Sequence, residues 1–118
     1  IAVRQCWCRQ CQKIAAGSGT TNAMFPTEAL TLEGELATTS YVAASGNMLT
    51  QSFCPSCGTP VMGQSSARPQ FRTLRLGFID EPPGLAPGVV IWTEEAPAWA
   101  CLDPALPKVE SQADPPPS

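Results

Sequence analysis

Five of the six cysteines stand in two clusters, Cys6-Trp7-Cys8-Arg9-Gln10-Cys11 and Cys54-Pro55-Ser56-Cys57-Gly58. A C-x2-C pair sets two thiolates on one side of a turn, within reach of a single metal ion. Two such pairs converging in space make the tetrahedral sulfur cage that zinc favours. In the second cluster Gly58 follows Cys57, and a glycine there lets the backbone turn sharply with its N–H groups aimed at sulfur. Cys54 and Cys57 therefore read as a zinc knuckle; the competing interpretation is two reduced thiols on a hairpin. The first cluster is a C-x-C-x2-C triplet. Cys6, Cys8 and Cys11 either hold a zinc of their own with a fourth position open, as catalytic zinc sites do, or supply two ligands to a cage shared with Cys54 and Cys57. An open position would bind and acidify an incoming thiol, giving a reactive thiolate at neutral pH.

Other candidates are weaker. Cys101, alone in Trp99-Ala100-Cys101-Leu102, reads as a small buried apolar residue. Arg9 beside the triplet is either an anchor for a substrate carboxylate or a solvated surface arginine. Trp92 and Trp99 are expected to pack in the core, with a pocket wall as the alternative. Asp80, Glu94 and Glu95 lie near apolar strand ends, yet their spacing does not raise them above surface charge. The 118 residues contain no histidine. That excludes Cys2His2 zinc binding and any catalysis through an imidazole base.

The elements that must carry these residues are short strands broken by turns. Ile1 to Gln5 is expected to run as a strand into the triplet, and Lys13 to Gly17 to form one helical turn. Strands are expected over Thr20 to Phe25 and Ala29 to Leu32. Thr38 to Ala43 and Asn47 to Phe53 flank Ser45-Gly46 as a hairpin, whose second strand delivers the Cys54–Cys57 turn. Pro60 to Gly63 returns. Phe71 to Ile79 alternates so that Leu74, Leu76 and Phe78 would face the core. Asp80 to Pro87 reads as a loop, and Gly88 to Trp92 as a further apolar strand. From Asp103 the chain turns proline-rich. The expected division is a β domain over 1–103 and a tail over 104–118, which would not fold by itself.

Composition bounds the function. At 43% hydrophobic and 14% charged residues, the chain is of globular type, with a core small enough to benefit from a metal staple. A net charge of −3, with seven scattered Lys and Arg residues, gives no footprint for nucleic acid. No apolar run reaches the length needed to span a bilayer. A cytoplasmic location is expected, where a reducing environment favours metal over disulfides for clustered thiols. The chain starts at Ile1 rather than Met, as expected of a fragment, a misassigned start or a processed form.

The chain resembles the glutathione-dependent formaldehyde-activating enzyme family, which also includes centromere protein V. The resemblance rests on Cys6-Trp7-Cys8-Arg9-Gln10-Cys11-Gln12, Asn22-Ala23-Met24-Phe25-Pro26, Ser45-Gly46-Asn47, Phe53-Cys54-Pro55-Ser56-Cys57-Gly58-Thr59-Pro60, Gly77-Phe78-Ile79-Asp80 and Ile91-Trp92. It implies a mainly β, β-tent-like fold of two packed antiparallel sheets and up to two zinc sites. Cys6, Cys8 and Cys11 would hold the catalytic-type zinc, with Cys54 and Cys57 belonging to a structural one. The implied reaction condenses formaldehyde with glutathione to S-hydroxymethylglutathione, in the carbon–sulfur lyase class; a non-catalytic zinc-stabilised module that binds a thiol or a protein is the alternative. Two departures stand out. The further C-x-C pair expected ahead of the triplet is not among these residues, and Trp7 stands where family members commonly carry histidine.

Overall fold

Turn chemistry and strand alternation set the architecture seen in the computed structural model, which describes residues 2–43, 45–80 and 84–112. In chain order the elements are β1 (Ala2–Cys6), α1 (Arg9–Ile14), β2 (Thr20–Pro26), β3 (Ala37–Val42), β4 (Met48–Phe53), β5 (Pro60–Ser65), β6 (Phe71–Arg75) and β7 (Val89–Ile91). Single 3₁₀ turns occupy Thr27–Ala29, Leu76–Phe78 and Thr93–Glu95. Among the described residues, seven strands against one six-residue helix make the fold mainly β, as expected. The described residues gather into two compact units, one within 23–80, the other within 2–22 and 84–112.

In the first unit the hydrogen-bonded order is β3-β4-β5-β6-β2. The expected hairpin forms, with β3 and β4 antiparallel from Ala37 opposite Phe53 to Val42 opposite Met48. Gly46 turns it with φ of 88°, in the left-handed region that glycine enters without steric cost. The β4/β5 register shifts between Ser52 and Phe53. Such an irregularity bends a strand and re-aims the residues beyond it, here the turn bearing Cys54 and Cys57. Ala23, Val61 and Met62 are buried.

Two strand expectations in this unit need correction. The Phe71–Ile79 strand stops at Arg75, where the chain tightens into a 3₁₀ turn closed by the Ile79 N–H on the Leu76 carbonyl. A three-residue period replaces the two-residue one, and Phe78 is left 41% exposed. The buried residue is Arg75, whose guanidinium donates to the Gln51 side chain. Gly63 leaves room for that contact, since a Cβ there would lie 3.1 Å from Gln51 Oε1. The strand expected over Ala29 to Leu32 is also absent; Ala29 closes a 3₁₀ turn and Leu32 is exposed.

In the second unit the order is β2-β1-β7. β1 and β7 pair in parallel, with Arg4 opposite Val89 and Cys6 opposite Ile91. Purely antiparallel pairing was the expectation, and the sheet is instead mixed. The long connection between β1 and β7 lets the chain return in the same direction, which a tight hairpin does not. Residues 107–111 then run beside β7. The Val90 N–H donates to Pro107 O, the Val109 N–H to Val90 O, and the Trp92 N–H to Ser111 O. Glu81 to Pro83 of the expected loop, and the final Ala113 to Ser118, lie outside the described residues.

Candidate metal centre

β1 ends at Cys6, directly opposite Ile91, and the Trp7 N–H extends the ladder by donating to Ile91 O at 3.1 Å. The chain then turns into α1, with Cys8 as the residue that caps it. Cys8 Sγ accepts the Cys11 N–H at 3.3 Å, while Cys8 O accepts the Gln12 N–H at 2.9 Å. Capping normally falls to Ser, Thr, Asp or Asn, so the cysteine hides the signal. The helical turn expected at Lys13 to Gly17 accordingly begins earlier, at Arg9, and includes Cys11. Residues three apart on a helix share a face, which brings Cys11 back over Cys8.

The three sulfurs of Cys6, Cys8 and Cys11 all lie within 4.8 Å of one another. Cys6 and Cys11 are buried against Ile91, with Val89, Trp92 and Val109 packed around them. Cys8 is only half-buried. Hydrogen bonds with the Cys11 and Cys8 sulfurs, reinforced by burial, hold the Cys6 thiol far above the usual thiol range. Cys8 is also pushed up, foremost by its bond with Cys11 and then by burial. Without a cation the cluster therefore keeps these two protons.

Sulfurs sharing one zinc at about 2.3 Å stand about 3.8 Å apart in a tetrahedron. The triplet needs to close by no more than about 1 Å to reach that spacing. Three soft donors on one side, with the Cys11 N–H already aimed at Cys8 sulfur, suit zinc. The residues present fit the ion.

Support comes from residues that spacing alone did not reveal. Gln12 is 5% exposed. Its Nε2 donates to Trp7 O at 2.7 Å and to Glu95 O at 2.9 Å, and its Oε1 accepts from Arg9 Nη1 at 2.7 Å. Glu95, expected to be surface charge, instead accepts the Arg9 N–H at 3.0 Å and so completes the start of α1. Trp7 is buried, with its Nε1 donating to Gln5 Oε1 at 3.3 Å. Gly19 passes so close that a Cβ would sit 2.8 Å from Cys6 O and 2.9 Å from Trp7 Nε1. Trp92 adopts a left-handed backbone with φ of 59° and packs on the sulfur cluster. Gln12 stands in the stretch that carries the family resemblance, but no motif gave it a role, and none singled out the close approach at Gly19.

Cys54 and Cys57 sit on the knuckle of the first unit, between β4 and β5. The Cys54 N–H donates to Thr59 O at 2.9 Å and the Gly58 N–H to Cys54 O at 2.8 Å. Gly58 has φ of 78°, the sharp turn expected of it. Cys57 Sγ lies 3.0 Å from Thr59 Oγ1, and that hydroxyl lowers the exposed Cys57 thiol below its ordinary range. Cys101 and Trp99 correct their expectations, since both are exposed, Trp99 by 69%. They lie between Pro97 and Asp103, where short backbone turns rather than a strand hold the chain and give it no face to bury.

A search among curated proteins finds none that matches the chain. Against family profiles, residues 1–95 match that described as glutathione-dependent formaldehyde-activating enzyme. The match takes in the triplet, the Cys54–Cys57 knuckle and the β1/β7 pair beneath the sulfur cluster. The chain belongs to the glutathione-dependent formaldehyde-activating enzyme family.

Proposed function

We propose that this protein condenses formaldehyde with the thiol of glutathione to form S-hydroxymethylglutathione, as a carbon–sulfur lyase, at a zinc ion held by Cys6, Cys8 and Cys11. Convergence of the three sulfurs, with Cys8 alone partly open to solvent, is the observation that supports this most. Zinc bound there would supply an open position that favours the ionised form of an incoming thiol. Cys6 and Cys11 hold the ion from the buried side, and Cys8 marks the side from which the thiol enters. In the addition, the substrate sulfur bonds to the carbonyl carbon and the C=O π pair moves to oxygen. The proton lost by the thiol ends on that oxygen, so no oxidant or reductant takes part. Uncatalysed addition is already facile, and the chain contributes proximity and an ionised nucleophile. Trp7 accepts no proton, which leaves solvent at the Cys8 side to carry it. Cys54 and Cys57 act as ligands of a structural zinc, and a reducing cytoplasm suits both thiol sets.

Zinc-loaded protein should speed adduct formation above the rate at equal free zinc, and Cys8→Ser should remove that gain. No acceleration refutes the catalytic proposal. Burial of Cys6 and Cys11 in the apolar cluster around Ile91 favours a second function, a zinc-stabilised module that binds a thiol or protein without turning it over. In that case chelation unfolds the protein while glutathione is left unchanged.

A further inference from the structure

Cys8, half-buried, caps α1, and Arg9, exposed, is the first residue of that helix. Its guanidinium is not free to wander. Arg9 Nη1 donates to Gln12 Oε1 at 2.7 Å. The Gln12 amide is itself fixed, because its Nε2 donates to both the Trp7 and Glu95 carbonyls. Two carbonyl acceptors settle which end of the amide is nitrogen, so the oxygen must face Arg9. A buried side chain thus orients a surface cation. Among the described residues no carboxylate forms an ion pair with that guanidinium, and one of its five N–H donors is spent on Gln12.

An oriented arginine with unspent donors suits a carboxylate, which it can grip through two parallel N–H···O bonds. Cys6 and Cys11 are buried, so an incoming thiol reaches the cluster on the Cys8 side, at the end of α1 that Arg9 begins. We propose that Arg9 is a specificity-determining residue that binds a carboxylate of the thiol substrate, with Gln12 as the residue that positions it. The preferred ligands are then thiols bearing an anionic carboxylate, over esters and uncharged thiols of similar size. This rests on the thiol-binding function proposed above and names the part of the substrate that the chain selects.

The test uses the full chain loaded with cobalt(II), whose sulfur charge-transfer absorption reports a thiol arriving at the metal. Glutathione and its diethyl ester are titrated into the wild type and into Arg9→Gln. The wild type should bind the acid about threefold to tenfold more tightly than the ester, in the range of a partly exposed charge-assisted pair. That preference should shrink towards one in Arg9→Gln, and also on raising salt from about 0.02 to 0.5 M. Arg9→Lys should restore part of it, because the charge remains but the fork is lost. An equal acid-to-ester ratio in the wild type and Arg9→Gln refutes the role of Arg9 and leaves thiol binding intact. If neither thiol perturbs the spectrum of the wild type, thiol binding at the triplet is refuted, and the role of Arg9 with it.

Discussion

Replacing Gln12 by methionine is the sharpest perturbation of the scaffold around the sulfurs. Met keeps the length and volume of the side chain, so packing changes little. What disappears is the Nε2 donor to Trp7 O at 2.7 Å and to Glu95 O at 2.9 Å, at a residue 5% exposed. Each carbonyl deprived of its donor costs about 1–3 kcal/mol where it is buried. The Trp7 end is the more enclosed and should sit near the upper part of that range. The Arg9 contact is part-buried but made by an exposed residue, and it adds less than the two carbonyls. Partial rehydration of the Glu95 carbonyl and the apolar gain of Met offset some of the loss, leaving about 2–4 kcal/mol. A domain with a total stability of about 5–15 kcal/mol feels that strongly. With a urea slope of about 1–3 kcal/mol/M the midpoint should fall by about 1–2 M. The measurement is urea unfolding followed by tryptophan fluorescence, with free zinc held equal for both proteins so that metal linkage does not enter unnoticed. A loss below about 0.5 kcal/mol, typical of a surface substitution, would show that the amide does not hold the Trp7 loop to the Glu95 turn.

Gly19→Ala should destabilise by about 1–3 kcal/mol, because the new Cβ would meet the Cys6 carbonyl at 2.8 Å; an unchanged melting temperature contradicts this. Ending the chain at Asp103 removes five backbone hydrogen bonds between residues 107–111 and the segment 90–94, together with Val109 on the sulfur cluster. At about 0.5–1.5 kcal/mol for each bond, the truncated chain should lose about 3 kcal/mol or more, read from its urea midpoint. Proton linkage gives a signed prediction for the metal. Cys6 and Cys8 hold their protons above the ordinary thiol value, so zinc uptake near neutrality must release both, and apparent affinity should rise by about a hundredfold or more per pH unit. Competition against a chelator between pH 6 and 8 measures it, and a flat profile refutes it. The same raised values mean that metal-free protein is most stable below the ordinary thiol pKa of about 8.5 and loses stability as pH rises beyond it.

Much of the site is legible in the sequence because metal binding constrains residue type as well as spacing. The C-x-C-x2-C triplet announces its own convergence, and Ser45-Gly46 announces the hairpin that presents Cys54. The helix begins four residues ahead of its expected start because its cap is a thiol, which no capping rule marks. Buried Arg75 is hidden for a different reason. Its neighbours Leu74 and Leu76 carry the apolar signal, while its own burial depends on Gln51 and on the space at Gly63, contacts that pattern cannot show. Parallel pairing of β1 with β7 escapes likewise, since both strands are short and their register is a long-range property. Gln12 and Glu95 illustrate the general limit. A polar residue becomes structural only through its partners, here a carbonyl and an N–H contributed by residues 83 and 86 positions away.

The most direct test of the metal centre is to count cobalt bound by the full chain carrying Cys54→Ser and Cys57→Ser together. If Cys6, Cys8 and Cys11 suffice, one tightly held ion should remain, with intense sulfur-to-metal absorption that disappears when Cys8→Ser is added. Complete loss of tight binding on removing Cys54 and Cys57 alone would contradict that claim and place the metal in a cage that the triplet cannot hold unaided.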